Sequence, residues 1–440
     1  MNMPTATVIP PTANTLKPSP PVAGPDFAAF VAIDWADQEH VFRLQVAGRT
    51  DPETGTLEQK PEAIGPWVAQ LRERFPGGRV AIALEQSRGA LIHALLSYDF
   101  LVLYPIHPRT VARFREAFKS SGAKSDPLDA DQILEILTKH LERLHPLNPD
   151  TEATRLLGRL VEDRRRAVEL RTGHLQALTA SLKEYFPQAL ELVSGNLTSE
   201  LAAAFLEKWP TFAAFQQAKT SSLKRFYFKH HIRSSQLIER VLAARQGQAL
   251  TTDPAIVESG QHLSQMYLQL IATLQPLIAQ YDQRIAEVFG AHPEAPLFEH
   301  LPGAGPVMAP RLLAFFGTDR SRYASANSAQ SFCGIAPVSR KSGKSRAVVM
   351  RRACPKFDRQ TFHEFARLSV AKSVWARNFL TYYRARGHGY HAVIRALAFK
   401  WLRVLHSCWQ NHTPYNEDRY LATLKHRGSI FATLHLEKKT

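Results

Sequence analysis

Four acidic residues stand where they can hold divalent cations together. Asp34 ends the apolar run FAAFVAID, and Glu85 ends the apolar run GRVAIALE. Asp126 and Asp129 lie in KSDPLDADQ, where we expect a helix to begin, and residues three positions apart share one helix face. Mg²⁺ and Mn²⁺ prefer oxygen ligands, and two such ions about 4 Å apart can clamp an in-line phosphoryl transfer. The sequence therefore predicts a divalent-metal site formed by these four carboxylates.

Each of these acids, taken singly, also has a structural explanation. Asp126 precedes Pro127, a pair typical of a helix N-cap followed by proline at the first helical position, which is worth about 1 kcal/mol. Other carboxylates lie close in sequence and spacing alone does not exclude them as ligands: Asp37, Glu39 and Asp131. The order of two strand ends followed by a helix start favours the catalytic interpretation.

A second reactive group lies in the basic segment APVSRKSGKSR, residues 336–346, which contains no acid. A serine hydroxyl is a weak nucleophile at neutral pH and needs a base or a metal to activate it. Neighbouring cations can hold a phosphate and stabilise charge on its oxygens. These cations are Arg340, Lys341, Lys344 and Arg346, followed by Arg351 and Arg352. The segment predicts either a nucleophile, one of Ser339, Ser342 and Ser345, or a solvated basic loop.

Two further segments suit contact with nucleic acid. LPGAGPVMAPRLLAFFG has Gly303 and Gly305 in a turn that leads into a helix, as in helix-hairpin-helix elements, whose backbone N–H groups can cradle a phosphate. KRFYFKHHIR mixes aromatic residues with Lys224, Arg225 and Lys229. The alternative for this second segment is a partly buried helix end with solvated lysines.

The composition indicates which partners to expect. The 440 residues carry a formal net charge of +16 with a pI of about 9.8, which is typical of a polyanion binder, so nucleic acid is the expected partner. No run of 18 apolar residues is present, and we expect no membrane association and a cytoplasmic location. The three cysteines stand too far apart for zinc-ligand pairs and are too few for a disulfide scaffold.

Hydrophobic periodicity places these residues on a fold. Apolar strand patterns come first as a pair and then alternate with helical patterns, which predicts a mixed α/β domain over residues 27–145. Residues 146–295 hold two long segments with apolar residues at spacings of three and four, which predicts a helical, coiled-coil connector. A mainly helical domain is expected over residues 296–415. The proline-rich residues 1–26 and residues 416–440 are predicted to be tails.

The ordered set VAIDWAD, ALEQSRG, KSDPLDA, LPGAGPVMAPRLLAFFG and FCGIAPVSRKSGKSR resembles the insertion sequence 110 family of DEDD transposases. The resemblance covers residues 27 to 410. It implies an RNase H-like (RuvC-like) N-terminal domain, a helical connector and a C-terminal transposase domain. The family's acidic tetrad falls on Asp34, Glu85, Asp126 and Asp129, and its catalytic serine, which forms a phosphoserine linkage with DNA, falls on Ser342.

The resemblance further implies a homo-oligomer, a dimer or tetramer, that recombines element and target double-stranded DNA under the guidance of an element-encoded bridge RNA. Two other functions fit the residues. A structure-selective junction endonuclease would use the same acids with metal-activated water and would need no serine. A non-enzymatic nucleic-acid-binding protein would explain the charge, but it leaves four placed acids in a basic chain unexplained, because acids repel phosphate unless metals neutralise them.

Overall fold

The computed structural model describes residues 26–118, 126–193, 195–343 and 345–432, without the side chains of residues 118, 126, 127 and 346. The chain divides into two compact units, Met1–Pro149 and Asp150–Thr440. The predicted N-terminal tail lies almost wholly outside the described residues. Within the described ranges, no helix combines the length and apolar character that crossing a bilayer requires.

The first unit contains one five-stranded mixed sheet in the order β3-β2-β1-β4-β5. The pairs β1–β2 and β2–β3 are antiparallel, and the pairs β1–β4 and β4–β5 are parallel. The strands are β1 (Phe27–Asp34), β2 (Glu39–Val46), β3 (Glu53–Glu58), β4 (Arg79–Leu84) and β5 (Leu101–Pro105). The helices are α1 (Pro61–Arg74), α2 (Ala90–Leu95), α3 (Pro108–Phe118) and α4 (Asp126–Lys139).

Alternating side chains of the sheet supply two separate cores. Val31 and Ile33 of β1 pack on the face that α1 and α2 cover. Ala32 of β1 and Ala83 of β4 pack on the opposite face, with Ile133 of α4. The central strands are apolar on both faces because helices cover both, as is usual for parallel strand pairs. This confirms the predicted fold class, an RNase H-like mixed sheet domain followed by a largely helical part.

Two long helices run through the second unit, α5 (Glu152–Tyr185) and, after several short helices, α11 (Pro254–Gly290). Two contacts show that they are antiparallel. Arg164, early in α5, pairs with Asp282, late in α11, whereas Ser181, late in α5, pairs with Ser264, early in α11. Between them lie α6 (Gln188–Leu192), α7 (Glu200–Lys208), α8 (Phe212–Gln216), α9 (Thr220–Lys229) and α10 (Ser235–Ala244). These short helices form a bundle where the sequence predicts only a connector.

The long helix pair has a separate apolar core at each end. Leu182 of α5 and Ile271 of α11 belong to the core of the α6–α10 bundle. Leu157 of α5 and Ile285 of α11 belong to the core of the C-terminal part of the chain. That part contains α12 (Pro296–Glu299), α13 (Gly305–Phe316), α14 (Ala326–Phe332), α15 (Lys356–Ser369), α16 (Val374–Ala385), α17 (Tyr390–Gln410) and α18 (Glu417–His426).

Two segments of this C-terminal part have a secondary structure that the sequence analysis does not predict. The serine-bearing segment is a hairpin of β6 (Val338–Ser342) and β7 (Ser345–Val349) rather than a loop. The segment predicted as a C-terminal tail includes α18, whose Leu424 is buried in the core with Phe431. Glu417 at the start of α18 accepts hydrogen bonds from the hydroxyl of Ser373 and the amide of Val374, both at 2.9 Å, so α18 also ties down the start of α16.

Candidate active site and nucleic-acid-binding surfaces

Asp34 and Glu85 lie at the carboxyl ends of adjacent parallel strands. Asp34 is the last residue of β1, and Glu85 directly follows β4. The strand register pairs Ile33 with Leu84, so each acid follows one member of the same pair. Both acids are half-buried. Asp34 and Glu85 therefore lie at the same edge of the sheet.

Strand alternation also gives the face on which these acids lie. Ala32 belongs to the core beneath α4, and Asp34, two residues further along β1, lies on the same face. Ala83 belongs to the same core, and Glu85 lies just beyond the end of β4. The helix that packs on this face, α4, carries Asp129, which is only 4% exposed. Asp34 and Asp129 therefore belong to the α4 side of the sheet, and Glu85 lies at the same edge as Asp34.

Asp129 already has a cationic partner. Arg115 of α3 donates from Nη2 to Oδ1 of Asp129 and from Nε to the Gln132 side-chain oxygen at 3.2 Å. This ion pair occupies Oδ1 of Asp129, so a metal would bind through Oδ2 or after Arg115 moves aside. Sequence analysis missed Arg115, since nothing in the local pattern joins two residues 14 positions apart on different helices.

The alternative acids occupy different settings. Asp131 of α4 forms a 2.7 Å ion pair with Arg43 of β2, so it ties the helix to the sheet. Asp37 and Glu39 are exposed at the β1–β2 connection. The turn itself is held by buried His40, whose Nδ1 accepts from the Ala36 amide at 3.1 Å. This histidine positions the chain that leaves Asp34, a role that the sequence pattern does not indicate.

Two of the four predicted acids are placed as ligands of a hard cation would be. Asp34 and Glu85 supply carboxylate oxygens from adjacent strand ends, which fits Mg²⁺ or Mn²⁺. The side chain of Asp126 lies outside the described residues, and Asp129 is engaged by Arg115. Among the described residues, no three histidine, cysteine or acidic side chains are grouped so that they could hold a metal ion. The four-carboxylate site stays a prediction.

The predicted nucleophile lies at the tip of the β6–β7 hairpin. Ser342 pairs with Ser345 across the last rung, and Gly343 in the turn has a φ of +54°, a left-handed conformation that favours glycine. Ser339 pairs with Val348 further from the tip. All three serines are exposed. The hairpin thus presents Ser342 to solvent at a turn.

Strand alternation separates the three serines. Ser342 shares its hairpin face with Arg340, two residues earlier, and with Ser345 directly opposite. Ser339 and Lys341 lie on the other face. Arg340 and Lys341 are both exposed, while Lys344 and the side chain of Arg346 lie outside the described residues. A phosphate bound by Arg340 would therefore lie on the face of Ser342 and Ser345 rather than that of Ser339.

The chain that follows the hairpin carries Arg351 and Arg352. Arg352 is exposed and available to a ligand, whereas Arg351 is half-buried. The guanidinium of Arg359 donates to the Arg351 carbonyl at 3.1 Å, so α15 anchors this end of the hairpin. Of the two arginines, Arg352 is the better placed for contact with nucleic acid.

The two turn glycines differ in surroundings. A Cβ on Gly303 would lie 2.7 Å from the carbonyl carbon of Leu368 and 2.9 Å from the amide nitrogen of Ser369. Its φ is +84°, so close packing against the end of α15 already explains this glycine. Gly305 begins α13 with a φ of +54°, is exposed, and a Cβ there would meet nothing within 4 Å.

Helix α9 carries the basic aromatic segment. Its Phe226 and Tyr227 are buried in the bundle core, while Lys224, Arg225 and Lys229 are exposed on the other side. Phe228 lies among them with 52% of its surface exposed. The helix thus has a structural face and a basic face, and the basic face bears one aromatic ring.

Two family models of transposases match the segments that contain the candidate acids and the candidate serine. The DEDD transposase model of the IS110 type matches residues 31–187, and a model described as "Transposase IS116/IS110/IS902 family" matches residues 295–384. The first match spans Asp34, Glu85, Asp126 and Asp129, and the second spans Ser342. Both sets of candidate residues therefore lie inside segments that are typical of transposases.

Proteins of insertion elements are also similar to this chain over most of its length. The "Mini-circle putative transposase for IS117" of Streptomyces coelicolor is 29% identical over 90% of this chain and 97% of its own length. An uncharacterized 42 kDa protein of insertion element IS900 from Mycobacterium paratuberculosis is 26% identical over 79% of this chain and 87% of its own. A 44.8 kDa protein of insertion element IS116 from Streptomyces clavuligerus is 26% identical over 71% of this chain and 74% of its own length. With its strand-end acids and its two matching segments, this chain belongs to the insertion sequence 110 family of transposases, which are enzymes that cut and rejoin DNA.

Proposed function

We propose that this transposase cuts and rejoins DNA through the hydroxyl of Ser342. The observation that carries the proposal is the exposure of Ser342 at the hairpin tip, on the same face as Arg340. The serine oxygen attacks a backbone phosphorus, the bond from phosphorus to one sugar oxygen breaks, the serine proton is lost to a base, and the released sugar hydroxyl takes up a proton. Attack of the free hydroxyl of another strand on the phosphoserine rejoins DNA and returns the serine.

The cations around the hairpin would bind the phosphate during this exchange. Arg340 can donate two parallel hydrogen bonds to phosphate oxygens, and charge-assisted bonds of this kind are about twice as strong as neutral ones. Lys341, Lys344, Arg346 and Arg352 would hold the DNA on either side. Stabilising charge on the phosphate oxygens lowers the barrier most where the donors are fixed in advance.

The acidic residues would hold a divalent cation, Mg²⁺ or Mn²⁺. Asp34 and Glu85 supply the first two carboxylates, and Asp126 and Asp129 would complete the set, with Asp129 binding through Oδ2 or after Arg115 releases it. When bound, the cation polarises a phosphate and lowers the pKa of the attacking hydroxyl. These acids would orient the phosphate, and Arg115 would neutralise Asp129 until nucleic acid arrives.

The nucleic-acid partners follow from charge and family. A chain of net charge +16 is suited to double-stranded DNA of the element and its target. We further propose that an element-encoded bridge RNA guides the reaction and that the active form is a dimer or tetramer. The basic face of α9, with Phe228 among its cations, suits single-stranded nucleic acid, because bases stack on aromatic rings without regard to sequence.

The test is an assay for a covalent adduct. Purified protein is incubated with Mg²⁺, the DNA junction of its element and the flanking RNA, and a denaturing gel then reports protein retained on a DNA end. We expect an adduct that Ser342→Ala and Asp34→Ala each abolish. Ser339→Ala is the matched control, because it removes a hydroxyl from the opposite face of the same hairpin.

A metal-dependent junction endonuclease is the second candidate. It is favoured by the placement of Asp34 and Glu85, which needs only the first unit of the chain. Such an enzyme would activate water, so free cut ends without an adduct, unchanged in Ser342→Ala, would establish it and refute the serine mechanism.

A further inference from the structure

A cavity of about 90 Å³ lies between α5, α11, α13 and α15, and none of the candidate acids or serines is part of its lining. This volume is the space open to the centre of a water-sized sphere and exceeds the roughly 10–15 Å³ that one water molecule needs, so the cavity has room for a small oxyanion. Three arginines line it, Arg164, Arg165 and Arg311, against two carboxylates, Asp282 and Glu364. Cations therefore outnumber carboxylates around this cavity.

The start of α13 adds positive potential to the same cavity. Pro306 and Val307, in the first turn of this helix of 12 residues, are part of the lining. No side chain caps this end of the helix, and the Val307 amide of the first turn has no acceptor within the helix, whereas Pro306 has no N–H to donate. A helix N-terminus carries roughly half a positive charge and favours anions. Its partial charge has the same sign as the arginines it faces.

Arg311 carries an unused donor within this setting. Its side chain is only 6% exposed, Nε donates to the Thr361 hydroxyl at 3.0 Å, and Nη1 donates to Glu364 at 2.7 Å. Its Nη2 is buried and has no hydrogen-bond partner among the described residues. The ring of Phe357, 4.6 Å from the guanidinium carbon, fixes the plane of the group. A buried arginine nitrogen without an acceptor is costly, and an anion in the cavity would satisfy it.

The other two arginines are partly neutralised but remain accessible. Arg164 pairs with Asp282 at 2.5 and 3.2 Å. Arg165 pairs with Glu169 at 2.8 Å and lies 3.6 Å from Glu364. Burial lowers the pKa of the Arg311 guanidinium, Glu364 raises it, and the nearby Arg165 and Arg164 lower it again. The cations repel one another, and an anion between them would remove that repulsion.

We propose that this cavity binds one phosphate group of the nucleic-acid backbone, held by Arg311, Arg165 and the Val307 amide at the start of α13. The proposal rests on the nucleic-acid function proposed above, but it needs neither the serine nor the acidic residues. It gives the glycine-containing turn before α13 a definite role, since this turn presents the helix end to the ligand. DNA and RNA carry the same phosphate, and the experiment separates them.

The experiment compares Arg165→Gln with Arg166→Gln in the full-length chain. The two substitutions remove the same charge from neighbouring positions of α5, but Arg166 is exposed, pairs with Asp163 and does not line the cavity. Thermal unfolding is followed while inorganic phosphate replaces chloride at constant ionic strength. We expect phosphate to raise the unfolding midpoint of the wild type and of Arg166→Gln, and to raise that of Arg165→Gln much less.

Affinity for a short DNA duplex and for an RNA hairpin is then measured over a series of salt concentrations. Loss of one phosphate contact should weaken binding of the true ligand by about tenfold and reduce the salt slope by about one, for Arg165→Gln alone. The polymer that shows this change is the source of the phosphate. Equal effects of the two substitutions, or a wild type whose midpoint phosphate does not raise, would overturn the proposal.

Arg311→Lys is the second variant, because it keeps the charge but removes the planar fork and Nη2. It should lower the phosphate response without abolishing it, and circular dichroism verifies that each variant is folded. Ser342→Ala should retain the full phosphate response. A failure of the serine mechanism is thereby distinguishable from a failure of the phosphate site.

Discussion

Replacement of Gly303 by alanine separates packing from ligand binding at the turn before α13. An added Cβ would lie 2.7 Å from the Leu368 carbonyl carbon, 2.8 Å from its oxygen and 2.9 Å from the Ser369 nitrogen. All three atoms belong to the backbone of α15, so no side chain can rotate to make room. Gly305 is the matched control, because its φ is also positive but its Cβ would meet nothing within 4 Å.

The magnitude follows from two costs. A left-handed conformation costs an alanine about 1–2 kcal/mol, and this cost applies to both glycines. Overpacking against a rigid neighbour adds about 1–3 kcal/mol at Gly303 alone. The free energy of unfolding should therefore fall by about 2–5 kcal/mol for Gly303→Ala and by about 1–2 kcal/mol for Gly305→Ala. At roughly 3 °C per kcal/mol, the midpoints should fall by about 6–15 °C and 3–6 °C.

Thermal unfolding of both full-length variants measures this difference, and binding to duplex DNA well below each midpoint measures any loss of affinity. We expect Gly303→Ala to be the less stable protein and to bind DNA normally once folded. A Gly303→Ala variant with the wild-type midpoint would refute the packing argument. Lost DNA affinity at unchanged stability would instead return Gly303 to the nucleic-acid interface.

Three further predictions concern other parts of the chain. Burial raises the pKa of Asp150, but hydrogen bonds from the Thr318 hydroxyl and amide outweigh it and leave the pKa below its ordinary value of 3.8. This stabilisation should be fully present above the ordinary pKa and be lost as the pH falls below it, so urea unfolding of Asp150→Asn should show a weaker loss of stability in acid than the wild type. Arg115→Gln should lower the free energy of unfolding by roughly 3 kcal/mol, because it leaves buried Asp129 without its cation, and adding Asp129→Asn should restore much of this loss in chemical denaturation. Lys224→Ala combined with Arg225→Ala should reduce the salt dependence of nucleic-acid affinity by about two in slope with no change in melting temperature.

Sequence patterns predicted the central strands and long helices well, because burial on both faces or along one stripe leaves a strong local signal. The sequence pattern does not predict strand β3, because ETGTLE has a single buried apolar residue, Leu57. The β6–β7 hairpin was predicted as a loop because its serines, Arg340 and Lys341 are exposed and give no alternation of apolar and polar residues. Exposed strands of this kind are specified by backbone pairing and by the turn at Gly343.

The candidate site residues also differ in whether a local sequence pattern predicts their position. Asp34 and Glu85 could be placed from sequence because a strand end is a local event and neighbouring strand ends meet at one edge. The partner of Asp129 could not, because Arg115 reaches it only after α3 folds back on α4. The cavity at α13 could not be predicted either, since Arg311, Arg165 and the helix start come from distant segments that only the tertiary fold brings together.

The antiparallel pair of α5 and α11 also sets the distance between the two apolar cores at its ends. Leu157 lies in the core at one end and Leu182 in the core at the other. The 25 residues between them, at a rise of 1.5 Å each, span about 38 Å. The pair therefore holds the core of the α6–α10 bundle and the C-terminal core at a fixed separation. Because both helices must lengthen together to keep their seam, this spacing is expected to resist change by small insertions.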